Sequence, residues 1–264
     1  MITILFLGDI VGEPGREAAA RFVRSYQKEH GVDFVIANGE NAAGGRGITA
    51  RLAIDLLRSG IAVITTGDHA WDQKGIADYM ATEPRLLRPA NYPSGVPGQG
   101  HIVLETSKGK VAVLNLQGRT FMQQLLENPF RVAEEEVEAL REETPVIFVD
   151  FHAETTSEKI AMGCLLDGRV SAVVGTHTHV QTADEKILPN GTAFLCDAGM
   201  CGPEHSILGR DPANIIQRFQ NCLPAVFPVA KGPVRVCGAV VQIHESTGRA
   251  QSIRRISQIV REEE

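Results

Sequence analysis

Five short polar motifs gather Asp, Glu, Asn and His in this chain. They are Gly8-Asp9, Asn38-Gly39-Glu40-Asn41, Gly67-Asp68-His69, Asp150-Phe151-His152 and Gly175-Thr176-His177-Thr178-His179, and each follows a short apolar run. Together they offer carboxylate and amide oxygens and imidazole nitrogens. Such donors suit Mn, Fe, Zn or Co better than Cu(I) or an iron–sulfur cluster. Taken singly, each has a structural reading. Gly8-Asp9 and Asn38-Gly39 are turn signals, and a lone His152 reads as a satisfied core histidine. Five such motifs, all where a strand should end, read as one site.

The chemistry that uses this set is a pair of metals, about 3.5–4 Å apart, clamping a phosphoryl group. Glu40 suits a bridging carboxylate. Asp9 and Asp68 can each hold one metal, and Asn41 offers an amide oxygen. His152, His177 and His179 supply nitrogen. His177 and His179 are two residues apart, so on an extended segment both would point to one side. His69 is left as a non-ligand able to protonate a leaving oxygen. Weaker signals surround these. The run from Gly8 to Arg16 lacks the Gly-Lys-Ser/Thr ending of a phosphate loop. Gly44-Gly45-Arg46-Gly47 reads as a phosphate nest or a flexible loop beside the site. Asp197, Met200 and Gly202 are expected at the rim. There is no Gly-x-Ser-x-Gly elbow, and Ser157 and Cys201 have no triad context, so acyl transfer is unsupported.

The elements that must carry these motifs alternate along the chain. Strands are expected at residues 2–7, 32–37, 61–65, 145–150, 170–175 and 192–197. A hairpin spans 101–106 and 110–116, and a terminal strand pair spans 232–245 and 249–259. Helices are expected at 14–29, 73–80, 130–143, 157–166 and 211–221. Another runs to residue 58 with Thr49 as its N-cap, and a loop covers 87–100. No linker divides the chain, so residues 1–264 are expected to form one domain. The pattern predicts an α/β fold with helices on the outer faces of its sheet, where ligands gather at strand carboxyl ends.

Composition narrows the class. The 264 residues are 43% hydrophobic and 22% charged, as in a soluble globular protein, and the net charge is −6. An acidic balance argues against long nucleic acid as a stable partner, but not against a nucleotide substrate. The five cysteines are odd in number and include no C-x-x-C pair, which predicts reduced, mostly buried thiols and a cytoplasmic protein. No apolar stretch reaches the length of a membrane span, and residues 2–7 are too short for a signal peptide.

The motifs resemble those of the calcineurin-like metallophosphoesterases, and within them the bacterial YmdB-like branch. Besides the five motifs, the matching stretches include Arg88-Pro89-Ala90-Asn91-Tyr92-Pro93, Asn115-Leu116-Gln117-Gly118-Arg119 and Val180-Gln181-Thr182-Ala183-Asp184. The resemblance covers nearly the whole chain. It implies a two-sheet α/β/β/α sandwich and a dinuclear centre bridged by Glu40. Asp9, Asn41 and His179 would serve one metal; Asp68, His152 and His177 would serve the other, with iron or manganese as the ions. His69 would be the acid, the substrate a small phosphodiester such as a 2',3'-cyclic nucleotide, and the protein a homo-oligomer. The branch reads Gly-Asn-His where this chain has Gly67-Asp68-His69. The added carboxylate is expected to tighten metal binding and weaken Lewis acidity. The competing readings are a low-turnover signalling protein that binds a nucleotide or partner, and a phosphomonoesterase or metal-dependent nuclease.

Overall fold

The apolar run at the N-terminus becomes strand β1 (Ile2–Leu7), and its alternation sets the architecture. Ile2, Ile4 and Phe6 enter one buried cluster, Leu5 and Leu7 another. A strand buried on both faces reads as a continuous apolar run, as this one does. The structure is a computed structural model describing residues 1–260.

After β1 come β2 (Asp9–Ile10), α1 (Gly12–His30), β3 (Phe34–Asn38), α2 (Ala50–Arg58), β4 (Val63–Thr65), α3 (Ile76–Met80) and β5 (Leu86–Leu87). Next are β6 (His101–Thr106), β7 (Gly109–Gln117), α4 (Pro129–Glu143), β8 (Ile147–His152), α5 (Thr156–Leu166) and β9 (Ala172–Thr176). The chain closes with β10 (Lys186–Ile187), β11 (Ala193–Leu195), β12 (Met200–Pro203), α6 (Pro212–Asn221), β13 (Val234–Ile243) and β14 (Ala250–Val260).

These form two sheets. One runs β2-β12-β13-β1-β3-β4-β5, with β14 beside β13; the other runs β10-β11-β9-β8-β7-β6. Ile4, Phe6 and Ile36 of the first meet Val113, Phe148 and Val174 of the second in one cluster between the sheets, with the Phe6 and Phe148 rings 5.1 Å apart. The outer face of the first sheet buries Leu5 and Val35 against Phe22 of α1 and Leu56 of α2. That of the second buries Leu114 and Phe151 against Val137 of α4 and Met162 of α5. The result is the expected α/β/β/α layering. Parallel pairing of β1 with β3, β3 with β4, β7 with β8, and β8 with β9 aligns the carboxyl ends of these strands. All five motifs lie there.

Local chemistry explains most boundaries. Thr49 caps α2 by accepting from Leu52 N. Of the helix expected over 73–80, only Ile76–Met80 forms, because Gly75 is left-handed (φ 78°) at its N-cap. The expectation stopped β8 at residue 150; the strand continues to His152 and so carries that side chain on a rigid element. Strands β2, β5, β10 and β12 were not expected. The two-residue strand Asp9–Ile10 pairs with Met200–Cys201, and so short a piece leaves no periodic trace.

Gly8 is where this pairing tolerates no side chain. A Cβ there would fall 1.9 Å from the Gly199 carbonyl oxygen, while Asp9 N donates to that same oxygen. Gly8→Ala is therefore expected to lower the unfolding free energy by about 1–3 kcal/mol. Equilibrium denaturant unfolding would measure it, and an unchanged midpoint would contradict the packing account.

Candidate metal centre

Each motif delivers its side chain to one buried place between the strand ends. Glu40 follows β3, Asp68 follows β4, His152 ends β8 and His177 follows β9; one donor atom from each lies within 4.8 Å of the others. His152 Nε2 is 3.2 Å from Glu40 Oε1 and 3.0 Å from Asp68 Oδ1. His177 Nδ1 is 3.0 Å from His152 Nε2 and 3.3 Å from Asp68 Oδ1. A second group adjoins it. Asn41 Nδ2 lies 3.1 Å from Glu40 Oε1, 3.5 Å from Asp9 Oδ1 and 3.1 Å from His179 Nε2. His179 Nε2 is 3.8 Å from Asp9 Oδ1. The two groups share Glu40, so the structure brings together all seven residues expected as ligands.

The electrostatics show what such a cluster lacks. Burial raises the Asp9 carboxyl. Burial also works to raise Glu40 and Asp68, but the charge and hydrogen bonds of His152 outweigh it and hold both below the ordinary carboxylate range; His177 bonds Asp68 as well. His152 is pushed well above its ordinary value, because Glu40 and Asp68 overrule a burial that alone would keep it neutral. Two imidazole nitrogens 3.0 Å apart and beside two carboxylates need a cation between them. A proton can serve, and a metal ion fits the same donors.

The surrounding hydrogen bonds fix which nitrogen faces inward. Thr176 Oγ1 donates to Asp150 Oδ1 (2.7 Å) and lies 2.9 Å from His152 Nδ1. With its own proton spent on Asp150, the hydroxyl accepts from Nδ1–H and leaves the His152 Nε2 lone pair for the cluster. Asn38 and Thr65 also donate to Asp150; burial pushes this carboxyl up to about 6 against their pull and that of His152 and Thr176. His177 Nε2 meets Glu154 Oε2 at 3.1 Å, and His179 Nδ1 meets the Leu208 carbonyl at 3.1 Å.

The extended geometry expected for His177-Thr178-His179 is not observed. Strand β9 ends at Thr176, and His177 (φ 100°) and His179 (φ 66°) are both left-handed. Such conformations cost about 1–3 kcal/mol each and need support. His177 N donates to Asp9 Oδ2, and Thr178 donates through its N–H (3.1 Å) and hydroxyl (2.7 Å) to Asp197 Oδ2. Asp197 pairs at 2.7 Å with Lys159, both 1% exposed. Asp197 was expected at the rim and is instead a buried brace. Lys159 was missed; a lysine in the apolar face of a helix was the available signal.

His69 borders the donor cluster, its backbone N–H donating to Glu40 Oε2. Its Nδ1 pairs with Asp72 Oδ2 at 2.9 Å, and its Nε2 is 3.9 Å from Asp68. Asp72, one helical turn ahead in sequence, was not singled out. His69 and, from the two donor groups, Glu40, Asn41, His177 and His179 line a cleft of about 570 Å3. The glycine loop at residues 44–47 also borders it, and Arg210 holds that loop through the carbonyls of Gly44 and Gly45. Cys196, Cys201 and Cys237 are buried and Cys164 and Cys222 exposed, all unpaired, so the expectation of buried thiols holds for three. Among the described residues no helix is long and apolar enough to cross a membrane.

Similarity to known proteins follows the same residues. Residues 5–256 match the family described as YmdB-like protein. A 2',3'-cyclic-nucleotide 2'-phosphodiesterase of Bacillus subtilis is 49% identical over 96% of each chain. The crystal structure of a hypothetical protein from Thermus thermophilus superposes with a TM-score of 0.91 at 38% identity, covering 98% of this chain and 99% of that one. A novel phosphatase of Mycoplasma pneumoniae gives 0.91 at 34%, covering 98% and 93%.

Asp197→Asn keeps the shape of the brace but strands the Lys159 ammonium. It is expected to weaken Mn2+ binding about 10–100-fold, the range for residues that orient ligands, in protein of native circular dichroism. Calorimetric titration reads this directly, and wild-type affinity would show that Asp197 does not set the histidine loop.

Proposed function

The chain belongs to the YmdB-like family and has the calcineurin-like metallophosphoesterase fold, and from that premise we propose that it opens nucleoside 2',3'-cyclic phosphates at the 2'-oxygen, releasing the 3'-phosphate. The observation that carries the reading is the shared Glu40. One carboxylate stands between two nitrogen–oxygen donor groups at the floor of an open cleft. The activity printed for the Bacillus subtilis relative supports the substrate.

Asp9, Asn41 and His179 would hold one divalent ion, Asp68, His152 and His177 a second, and Glu40 both. Asn41 would turn its amide oxygen toward the ion. The nitrogen–oxygen set suits iron or manganese. Bound there, the ions would supply Lewis acidity toward the phosphoryl oxygens and lower the pKa of the attacking water. The chain's own contribution to bond cleavage is His69. The Asp72 carboxylate accepts from Nδ1–H and so aims Nε2 into the cleft. As the bond from phosphorus to the 2'-oxygen breaks, a proton on Nε2 passes to the oxygen. Glu154 keeps the His177 ring turned with Nδ1 inward, and Thr176 does the same for His152 Nε2.

The unpaired thiols support a reducing, cytoplasmic setting. Exposed Leu223 and Val226 offer apolar surface to a second copy, which supports a homo-oligomer.

The direct test is turnover of adenosine 2',3'-cyclic phosphate by Mn- or Fe-loaded protein with identification of the product. Adenosine 3'-phosphate is expected. Binding without turnover would favour a nucleotide sensor, and turnover of monoesters alone a phosphatase. His69→Ala is expected to retain its metal and lose about 10²–10⁴-fold in rate on the cyclic nucleotide. On a nitrophenyl diester, whose leaving group needs little protonation, the loss should be much smaller. Equal losses on both would remove His69 from the acid role.

A further inference from the structure

The far wall of the cleft is mainly apolar, with Arg210 and Arg218 among its apolar side chains, and it is built differently from the rest of the molecule. Leu208, Ile215, Phe219 and Phe227 line it, in the same cavity as Glu40, His69, His177 and His179. Ile215, Arg218 and Phe219 are spaced i, i+3, i+4 on α6, so one stripe of this helix faces the cleft. The helix is well started: Pro212 occupies its first turn and Asp211 accepts from Ala213 N. Yet α6 has no buried residue, and the Phe219 ring is 80% exposed. An amphipathic helix normally buries its apolar stripe against a core, and this one turns it to an open cavity.

The segment is nevertheless fastened to the catalytic end by polar contacts. The Leu208 carbonyl meets His179 Nδ1 at 3.1 Å. Arg210 donates to the carbonyls of Gly44, Gly45 and Phe227, tying the glycine loop, the start of α6 and the segment after it into one piece. These contacts tie Leu208, Arg210 and Phe227, on either side of α6, to the donor end, while the apolar stripe of α6 stays uncovered. The cavity of about 570 Å3 falls within the range of about 300–1,000 Å3 for small-molecule sites, which combine apolar walls with a few converging polar groups.

We propose that this wall, with Phe219 as its main element, seats the nucleobase of the substrate whose phosphorus lies at the metal end. The inference rests on the phosphodiesterase reading and adds what selects a nucleoside over a bare phosphodiester. A planar base needs an apolar or aromatic face on which to stack, and aromatic side chains serve every base. The occupant is a nucleoside because the wall is continuous with the donor groups proposed above to take the phosphoryl group. A second copy of the chain could cover Leu223 and Val226, which do not line the cavity.

The test compares wild type, Phe219→Ala and Phe219→Tyr by two readouts. The first is binding of adenosine 3'-phosphate to metal-loaded protein by calorimetry. The second is the ratio of kcat/KM for adenosine 2',3'-cyclic phosphate to that for methyl nitrophenyl phosphate, which has no base. Phe219→Ala is expected to weaken nucleotide binding about tenfold and to lower the ratio similarly, mainly through KM; Phe219→Tyr, which keeps the ring, should restore both. Unchanged binding and ratio in Phe219→Ala would overturn the base seat while leaving phosphodiesterase activity intact. Ring-dependent nucleotide binding without any diester turnover would retain the seat and sink the function. A drop in sedimentation coefficient for Phe219→Ala would assign the ring to a contact between copies and overturn the inference.

Discussion

Packing Asp9, Glu40 and Asp68 with three imidazoles where the strand ends of the two sheets meet is the constraint on which the rest depends. Asp9 and Glu40 are essentially without solvent. Carboxylates placed so closely out of water repel one another and are costly unless a positive charge sits among them. His152 can take that part, which is why its basicity rises while Glu40 and Asp68 are held low. A metal ion satisfies the same geometry with more charge. The parallel strands bring the donors together; the charge deficit makes the place a binding site.

Precision comes from the layer behind the donors. Asp150 and Thr176 set the His152 tautomer, Glu154 turns His177, and the Leu208 carbonyl turns His179. The Lys159–Asp197 pair holds the backbone of a loop carrying two left-handed histidines. Breaking a buried ion pair by removing one partner costs about 3–5 kcal/mol, so losing either partner would unseat the loop. The strain in the loop is thereby borne by α5 and the turn after β11, whose residues do not line the cleft. The apolar wall of α6 is the contrasting part, fastened by backbone carbonyls and one arginine and left open.

Much of the site was legible from sequence because metal donors must come in recognisable types. Each lies one to four residues beyond an apolar run, and such runs mark buried strands reliably. All seven expected ligands and the separate His69 converge. The geometry of His177-Thr178-His179 was not legible: two-residue spacing suggests an extended segment, and only Asp9 and Asp197, distant in sequence, make left-handed histidines tolerable. Asp197 itself looked like a turn residue because its partner Lys159 is 38 positions away. Strands β2 and β12 were invisible for the related reason that a two-residue pairing is defined by its neighbour. Helix α6 showed its period, but nothing in the period says that the apolar stripe faces a cavity.

The central claim is that Glu40 is shared between two metal positions. Electron paramagnetic resonance of the Mn2+-titrated protein tests it most directly. The wild type should bind a pair of ions per chain and give an exchange-coupled spectrum, and Glu40→Gln should lose the coupling, the second ion or both. Independent, uncoupled ions in the wild type, or a fully coupled pair in Glu40→Gln, would contradict the account.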